Sequence, residues 1–253
     1  MAEYTQEELI EKLKAGEIPE EAQAYVNEQM AVLGEKFDPK VRVERAKNLL
    51  ESKYDGEFKI MVYRGQQIAD RFFTVNAYNT EFPETVFEAK VGIYEDILDD
   101  SYVMRRICKK MEDALTENAL FHPDRYRIYV ESSIKISYLT DVEMSYTELP
   151  QKFPGNRYNV SLFVVPGSEK TGITAETVKE LFKGFEAFSG KLNIYSTDLE
   201  QYRKAEEYLN SFPRIYHDFT EMMKPGLVGS YMIKNGQIVD DDNTLGKKLE
   251  EFF

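Results

Sequence analysis

A change of hydrophobic period at Asp55-Gly56 constrains this fold more than any other feature of the sequence. Before this pair, apolar residues recur every three or four positions, which is typical of amphipathic helices. After it, apolar and polar residues alternate in the segments 58–63, 71–78 and 85–94, as they do in half-buried strands. The sequence therefore predicts a helical N-terminal segment at 1–54 that leads into an antiparallel β-meander with one solvent-facing side.

The rest of the chain predicts two lobes. A helix at about 100–120 and a strand at 126–138 complete a first α+β lobe over residues 55–140. Prolines and a Pro-Gly-Asn turn in 139–157 indicate a boundary. The second lobe, residues 158–253, alternates strands with helices and contains the strongest hairpin signal in the chain, Asn235-Gly236 between apolar runs. Its helices and strands are predicted at 158–165, 175–188, 191–196 and 198–209, with a C-terminal helix, so the fold class is α+β with a mixed sheet in the second lobe.

The charge balance excludes one class of partner. Acidic residues outnumber basic ones 45 to 32, which gives a net charge of −13, and this charge opposes binding to nucleic acid by repulsion. A single cysteine can form neither an internal disulfide nor a multi-cysteine zinc site. No apolar run is long enough for membrane insertion. The acidic N-terminus lacks the pattern of a signal peptide, so we predict a cytoplasmic protein, and a removed leader is the alternative left open.

Three consecutive aspartates near the C-terminus are the candidate metal site. A calcium-binding loop requires oxygen ligands at positions 1, 3, 5 and 12. Counted from Asp240, these positions hold Asp242, Thr244 and Glu251. Asp240, Asp242 and Glu251 are therefore the candidate metal ligands.

The same segment also has the pattern of a capped helix. The calcium template requires glycine at position 6 and an apolar residue at position 8, but this sequence has Leu245 and Lys247 there. Leu245 and Leu249 lie on one helical face, and Asp242 or Asn243 precedes that helix as a typical N-cap. We therefore predict a cap, with no metal and no cofactor, and calcium ligation is the alternative.

Few residues suggest catalysis. His217 and Asp218 are the candidate catalytic residues, although neighbours in a strand point to opposite faces. Cys108 lies on the apolar stripe of its helix, which favours a small buried side chain over a nucleophile. The basic cluster RRICKK at 105–110 is expected to pair with carboxylates of the chain itself. The segment GSEKTG at 167–172 lacks the order of residues that a phosphate-binding loop needs.

The segment LLESKYDGEFKIMVY, followed by FFTVNAY and TVFEAKV, resembles small α+β proteins from Gram-positive (Firmicutes) gut and oral bacteria. In those proteins a helix that ends in Lys-Tyr-x-x-Glu-Phe leads into a meander, and the resemblance covers about residues 40–90. No activity is established for that group, so the resemblance implies a bacterial protein with this fold and carries over no functional residue.

These observations favour a non-enzymatic interaction or accessory protein whose partner is another protein or a second copy of the chain. A hydrolase-type enzyme is the alternative, with carboxylates and His217 assembled in a cleft between the lobes. A small-ligand binding protein without catalysis is a third possibility.

Overall fold

The computed structural model describes residues 38–64, 72–121, 123–166, 173–186, 188–211, 225–239 and 244–252. The helices that the sequence predicts within 1–37 lie outside these ranges. The first described helix, α1 (Pro39–Lys53), begins as the sequence indicates: the Asp38 carboxylate accepts a hydrogen bond of 2.7 Å from the Lys40 backbone N–H, and proline occupies the first helical position.

The first sheet is the predicted antiparallel meander. Its strands lie side by side in chain order: β1 (Phe58–Arg64), β2 (Phe72–Asn79), β3 (Phe82–Gly92) and the short β4 (Leu98–Asp100).

One detail of this sheet differs from the prediction, because β2 is buried on both faces. Its polar residues Thr74 and Asn76 are 8% and 6% exposed. Cross-strand neighbours with long side chains flank them, among them Lys90 opposite Thr74 and Glu88 opposite Asn76. The solvent-facing side therefore does not extend across the central strand.

Helix α2 (Tyr102–Asn118) starts at a buried carboxylate. The Asp100 side chain is 1% exposed, and its Oδ1 accepts hydrogen bonds from the Tyr102 backbone N–H at 3.0 Å and from the Tyr54 hydroxyl at 2.8 Å. The Lys53 ammonium contacts Oδ2 at 2.7 Å and also donates to the Ser137 carbonyl at 2.6 Å. We call these groups the Asp100 cluster. It joins the end of α1, the start of α2 and the segment around Ser137.

The second sheet is mixed, as predicted. Its strands lie in chain order: β5 (Tyr126–Ser132), β6 (Tyr158–Val164), β7 (Gly190–Ser196), β8 (Gly226–Lys234) and β9 (Gln237–Val239). Only β6 and β7 are parallel to each other, and β8 and β9 form the hairpin predicted at Asn235-Gly236, whose φ angles of 52° and 71° suit a tight turn.

Strand β5 differs from the prediction. The sequence predicted this strand in the same lobe as the meander. It pairs along its whole length with β6 and is therefore the edge strand of the second sheet. Seven consecutive pairs, from Tyr126 with Val164 to Ser132 with Tyr158, fix this register. The division of the chain into lobes 55–140 and 158–253 stays a prediction.

The helices of the second sheet are α3 (Leu149–Lys152), α4 (Ala175–Glu180), α5 (Leu199–Ser211) and α6 (Thr244–Phe252). Helix α4 ends earlier than the predicted residue 188. Beyond it, the Leu181 and Lys183 carbonyls accept from the Asn118 side chain and the Phe188 carbonyl accepts from the Gly236 N–H, so these groups do not continue a helix.

One hydrophobic core extends through both sheets. It contains the meander, the apolar side of α2, the inner faces of β5 to β8, and Leu245 and Leu249 of the predicted C-terminal helix. A smaller cluster, centred on Phe163 and Tyr202, lies under α5 on the other face of the second sheet. Among the helices described, none is long and apolar enough to cross a membrane.

Candidate functional site

A cleft of about 440 Å³ opens where the two sheets meet. Residues of β3 form one wall, the first turns of α2 form the floor, and β5 with the segment after it forms the other wall. Its apolar lining residues are Val86, Phe87, Met104 and Ile134, and its polar ones include Glu88, Arg105, Glu131 and Lys135. The cleft therefore combines an apolar interior with a charged rim, as binding sites commonly do.

An ion pair on α2 borders the cleft. The Arg105 guanidinium contacts both carboxylate oxygens of Glu112, at 2.7 Å and 3.2 Å, and stacks on the Tyr129 ring with 4.5 Å to the ring centre. The two side chains are 13% and 8% exposed. Two parallel hydrogen bonds to a planar guanidinium hold both partners in one geometry. Arg105 is thus already engaged and does not extend freely into the cleft.

The same pair occupies the open edge of β5. Glu112 Oε1 accepts a hydrogen bond of 2.9 Å from the Val130 backbone N–H, and an Arg105 amino group lies 3.5 Å from the Val130 carbonyl oxygen. An edge strand exposes such backbone groups to any other strand that approaches. We call Arg105, Glu112 and the Val130 backbone the β5-edge cluster, because the two side chains take the place of a neighbouring strand.

Cys108 lies beneath the cleft and is 3% exposed. Burial raises the pKa of the Cys108 thiol to about 12, and the opposing effect of Arg105 is smaller. Because the thiolate is the nucleophilic form, this cysteine is inert near neutral pH. The prediction that Cys108 serves as a small buried side chain is confirmed.

Glu131 lies on the rim of the cleft. Its side chain is exposed to solvent, but partial desolvation by the surrounding protein raises the pKa of its carboxyl group, Arg105 lowers this pKa and Glu112 raises it. Lys135 lies on the same rim, with its ammonium 3.9 Å from an Asp99 carboxylate oxygen. The accessible charges of the cleft are therefore few and of both signs.

The remaining basic residues of α2 also pair within the chain. Lys109 contacts Asp113 one turn further along the helix. Arg106 and Lys110 both reach Glu143, at 3.8 Å and 3.5 Å. The predicted internal pairing of the basic cluster is confirmed.

Of the site residues that the sequence predicts, only Glu251 lies in the part of the chain that the structure describes. His217, Asp218, Asp240 and Asp242 lie outside the described residues, so their roles stay predictions. Glu251 lies on α6, where its carboxylate is exposed and 3.4 Å from the Lys248 ammonium. Within the described ranges, no three His, Cys, Asp or Glu side chains are grouped so that they could hold a metal ion.

The sequence did not predict the β5-edge cluster or the position of Glu131 on the rim of the cleft. One signal for the cluster was present, because Arg105 and Glu112 are seven positions apart and thus about two turns apart on one face of a helix. Nothing in the sequence could show that β5 would present its edge to that face, because this depends on pairing with β6, more than twenty residues later.

The fold and this cleft define an α+β protein in which one helix connects a meander to a mixed sheet. No family model and no curated protein matches the chain. A solved structure with this fold is that of a DUF5037 family protein from Ruminococcus gnavus, with a TM-score of 0.59, 17% sequence identity, and coverage of 83% of this chain and 98% of that one. That organism is a Firmicutes gut bacterium, so the predicted resemblance is confirmed at the level of the fold. The α+β fold class is likewise confirmed.

Proposed function

We propose that this chain is a non-enzymatic binding protein of a Gram-positive bacterium and that it holds a segment of a protein partner in the cleft between its sheets. The observation that carries this proposal is the state of the polar groups at the cleft. Arg105 and Glu112 are bound to each other and to the β5 backbone, and the Cys108 thiol is kept protonated. These groups hold structure together, and they are not prepared to attack a substrate.

The remaining lining supports recognition of an apolar side chain. Met104 forms an apolar floor, Val86 and Phe87 form one wall, and half-buried Ile134 forms part of the other wall. Glu88, Glu131 and Lys135 surround them. An apolar pocket inside a charged rim is the usual form of the central part of a protein interface.

A displayed library of random peptides tests this function. Peptides are selected on the native chain and then tested on Ile134→Asp, which places a charge inside the cleft. Ile97→Asp is the matched control, because Ile97 is a 40% exposed apolar residue that does not line the cleft. We expect peptides with an apolar anchor that bind the native chain and Ile97→Asp but lose about tenfold or more in affinity for Ile134→Asp. Peptides that bind all three chains equally would exclude the cleft as the binding site.

A second copy of the chain is the other predicted partner. Light scattering as a function of protein concentration measures self-association directly. If the cleft receives a second copy, Ile134→Asp should be monomeric at concentrations where the native chain and Ile97→Asp are dimeric.

A hydrolase that uses the inter-lobe cleft is the competing proposal, and the raised pKa of Glu131 is the observation that favours it. A carboxyl group that binds its proton more tightly than usual is suited to general acid catalysis. Turnover of a chromogenic ester, phosphoester or glycoside that Glu131→Gln abolishes would establish this activity. Turnover unchanged in Glu131→Gln, or none in the native chain, would remove the support that Glu131 gives it.

A further inference from the structure

A separate, more enclosed cavity of about 150 Å³ lies beside the second sheet, away from the cleft. Two aromatic pairs line it. The Tyr146 and Phe185 rings stack with centres 5.4 Å apart, and the Tyr158 and Phe188 rings stack with centres 5.7 Å apart. Glu186 also lines the cavity, and no lysine, arginine or histidine is among its described lining residues.

We infer that this cavity binds a trimethylammonium group. Aromatic ring faces carry negative charge density and attract cations, and quaternary ammonium ions are the cations that aromatic cavities typically recognise. The carboxylate of Glu186 adds an anionic group beside the rings. The net charge of −13 favours a cation over an anion at this site.

The cavity suits a methylated cation better than a primary ammonium ion. A primary ammonium has three N–H donors that need acceptors when they leave water. Here the Tyr158 hydroxyl already donates to the Tyr146 carbonyl oxygen at 3.0 Å and the Thr147 hydroxyl pairs with that of Ser145, which leaves the Glu186 carboxylate as the main acceptor among the lining side chains. A trimethylammonium group has no N–H donor, so aromatic walls satisfy it without further hydrogen bonds.

The size of the cavity agrees with this ligand. Its volume of about 150 Å³ corresponds to the liquid volume of about five water molecules. Tetramethylammonium has five non-hydrogen atoms, and choline is only slightly larger.

The walls are held in place before any ligand binds. The Asn118 amide donates to the Leu181 and Lys183 carbonyls at 3.2 Å and 2.8 Å, and the Gly236 N–H donates to the Phe188 carbonyl at 2.8 Å. Gly236 lies so close to this segment that a Cβ atom there would be 2.5 Å from the Phe185 carbonyl oxygen. A site fixed in this way loses little entropy when it takes up a small cation.

Titration calorimetry and NMR of the aromatic side chains test the inference with tetramethylammonium, choline and 3,3-dimethylbutan-1-ol, the neutral compound with the shape of choline. We expect the two cations to bind with millimolar affinity and to shift the cavity tyrosines, and the neutral compound to bind about tenfold more weakly. Equal binding of the neutral compound, or no shift with either cation at tens of millimolar, would overturn the inference.

Two variants and a control locate the site. Tyr146→Leu keeps an apolar wall but removes a ring, and we expect it to weaken choline binding about tenfold, while Glu186→Gln should weaken it severalfold. Tyr138→Leu is the control, because Tyr138 is 75% exposed and does not line the cavity. A Tyr146→Leu chain with native circular dichroism and undiminished choline binding would refute the site. Phosphocholine that binds as tightly as choline would assign the ligand to a phosphocholine headgroup, and weaker binding would assign it to the free amine; the inference stands in either case.

Discussion

The Asp100 cluster and the β5-edge cluster fasten the same helix to two different sheets, and they do so by different means. Asp100 binds three donors, a lysine ammonium and a tyrosine hydroxyl at the end of α1 and a backbone N–H at the start of α2. Glu112 binds one arginine in two places and one strand edge. A buried carboxylate is tolerated only when donors replace the water it has lost. The two clusters show that a buried carboxylate can be stabilised by several single contacts or by one bidentate partner.

The largest effect is expected from Asp100→Ala. This change removes the buried carboxylate that accepts from the Lys53 ammonium, the Tyr54 hydroxyl and the Tyr102 backbone N–H at the start of α2. We expect a loss of about 4 kcal/mol in the free energy of unfolding, measured in urea by circular dichroism. Asp99→Ala is the control, since its side chain is 42% exposed and pairs only at 3.9 Å, and it should lose less than about 1 kcal/mol. Equal losses in the two variants would mean that the Asp100 cluster contributes no more to the free energy of unfolding than an exposed ion pair does.

A smaller loss, about 3 kcal/mol, is expected from Glu112→Ala, because Arg105 and the Val130 N–H then lose their partner. The Arg105→Met/Glu112→Leu double variant should lose about 1 kcal/mol less than Glu112→Ala, since no unpaired guanidinium remains. Glu143→Ala serves as control: its side chain is 78% exposed, and we expect a change within about 0.5 kcal/mol. A double variant less stable than Glu112→Ala would show instead that Arg105 stabilises the fold even without Glu112, through contacts such as its stacking on Tyr129.

The smallest effect is expected in the pH dependence of stability, through the buried thiol of Cys108, which lies on α2 between the two clusters. The folded pKa of about 12 lies above the ordinary value of 9.0, so the unfolded chain releases the thiol proton first as pH rises. The free energy of unfolding therefore keeps its full value below about pH 9. Between about pH 9 and pH 12 the Cys108 thiol lowers it by at most about 1.4 kcal/mol per pH unit. Urea unfolding at about pH 8 and pH 10 should show native stability falling by about 1 kcal/mol more than that of Cys108→Ala. Parallel losses in the two chains would show that the thiol does not titrate differently on folding.

Local patterns of sequence were sufficient for the elements that depend on neighbouring residues. The meander, α2 and the hairpin at Asn235-Gly236 follow from hydrophobic period and turn chemistry, which act over a few positions. The predicted end of α4 was wrong, because Gly184 adopts a left-handed φ of 84° that an α-helix does not contain, and the Asn118 side chain binds the Leu181 and Lys183 carbonyls just before it. The pairing of β5 with β6 was not predicted, because the alternation of a strand identifies its buried face but not its neighbour.

The candidate sites were harder to predict for the same reason. The sequence indicated a cleft between lobes, but Ile134, Glu131 and Arg105 meet there only because α2 contacts both sheets. The aromatic cavity combines residues from 146 to 188 whose rings meet through the fold. Single residues such as Cys108 were predicted correctly because their position on an apolar helical stripe already determines their burial.

The placement of β5 has a practical consequence for producing parts of this protein. A fragment that stops at residue 140 keeps β5 and the β5-edge cluster but lacks β6, so the strand edge that β6 covers becomes available for intermolecular pairing, and insoluble material is the expected product. In a full-length chain whose contacts between α2 and β5 are weakened, we expect a different result. There β5 can pair with the β6 of a second molecule and give a domain-swapped dimer. The single helix between the sheets thus determines where the chain can be cut and how it would misassemble.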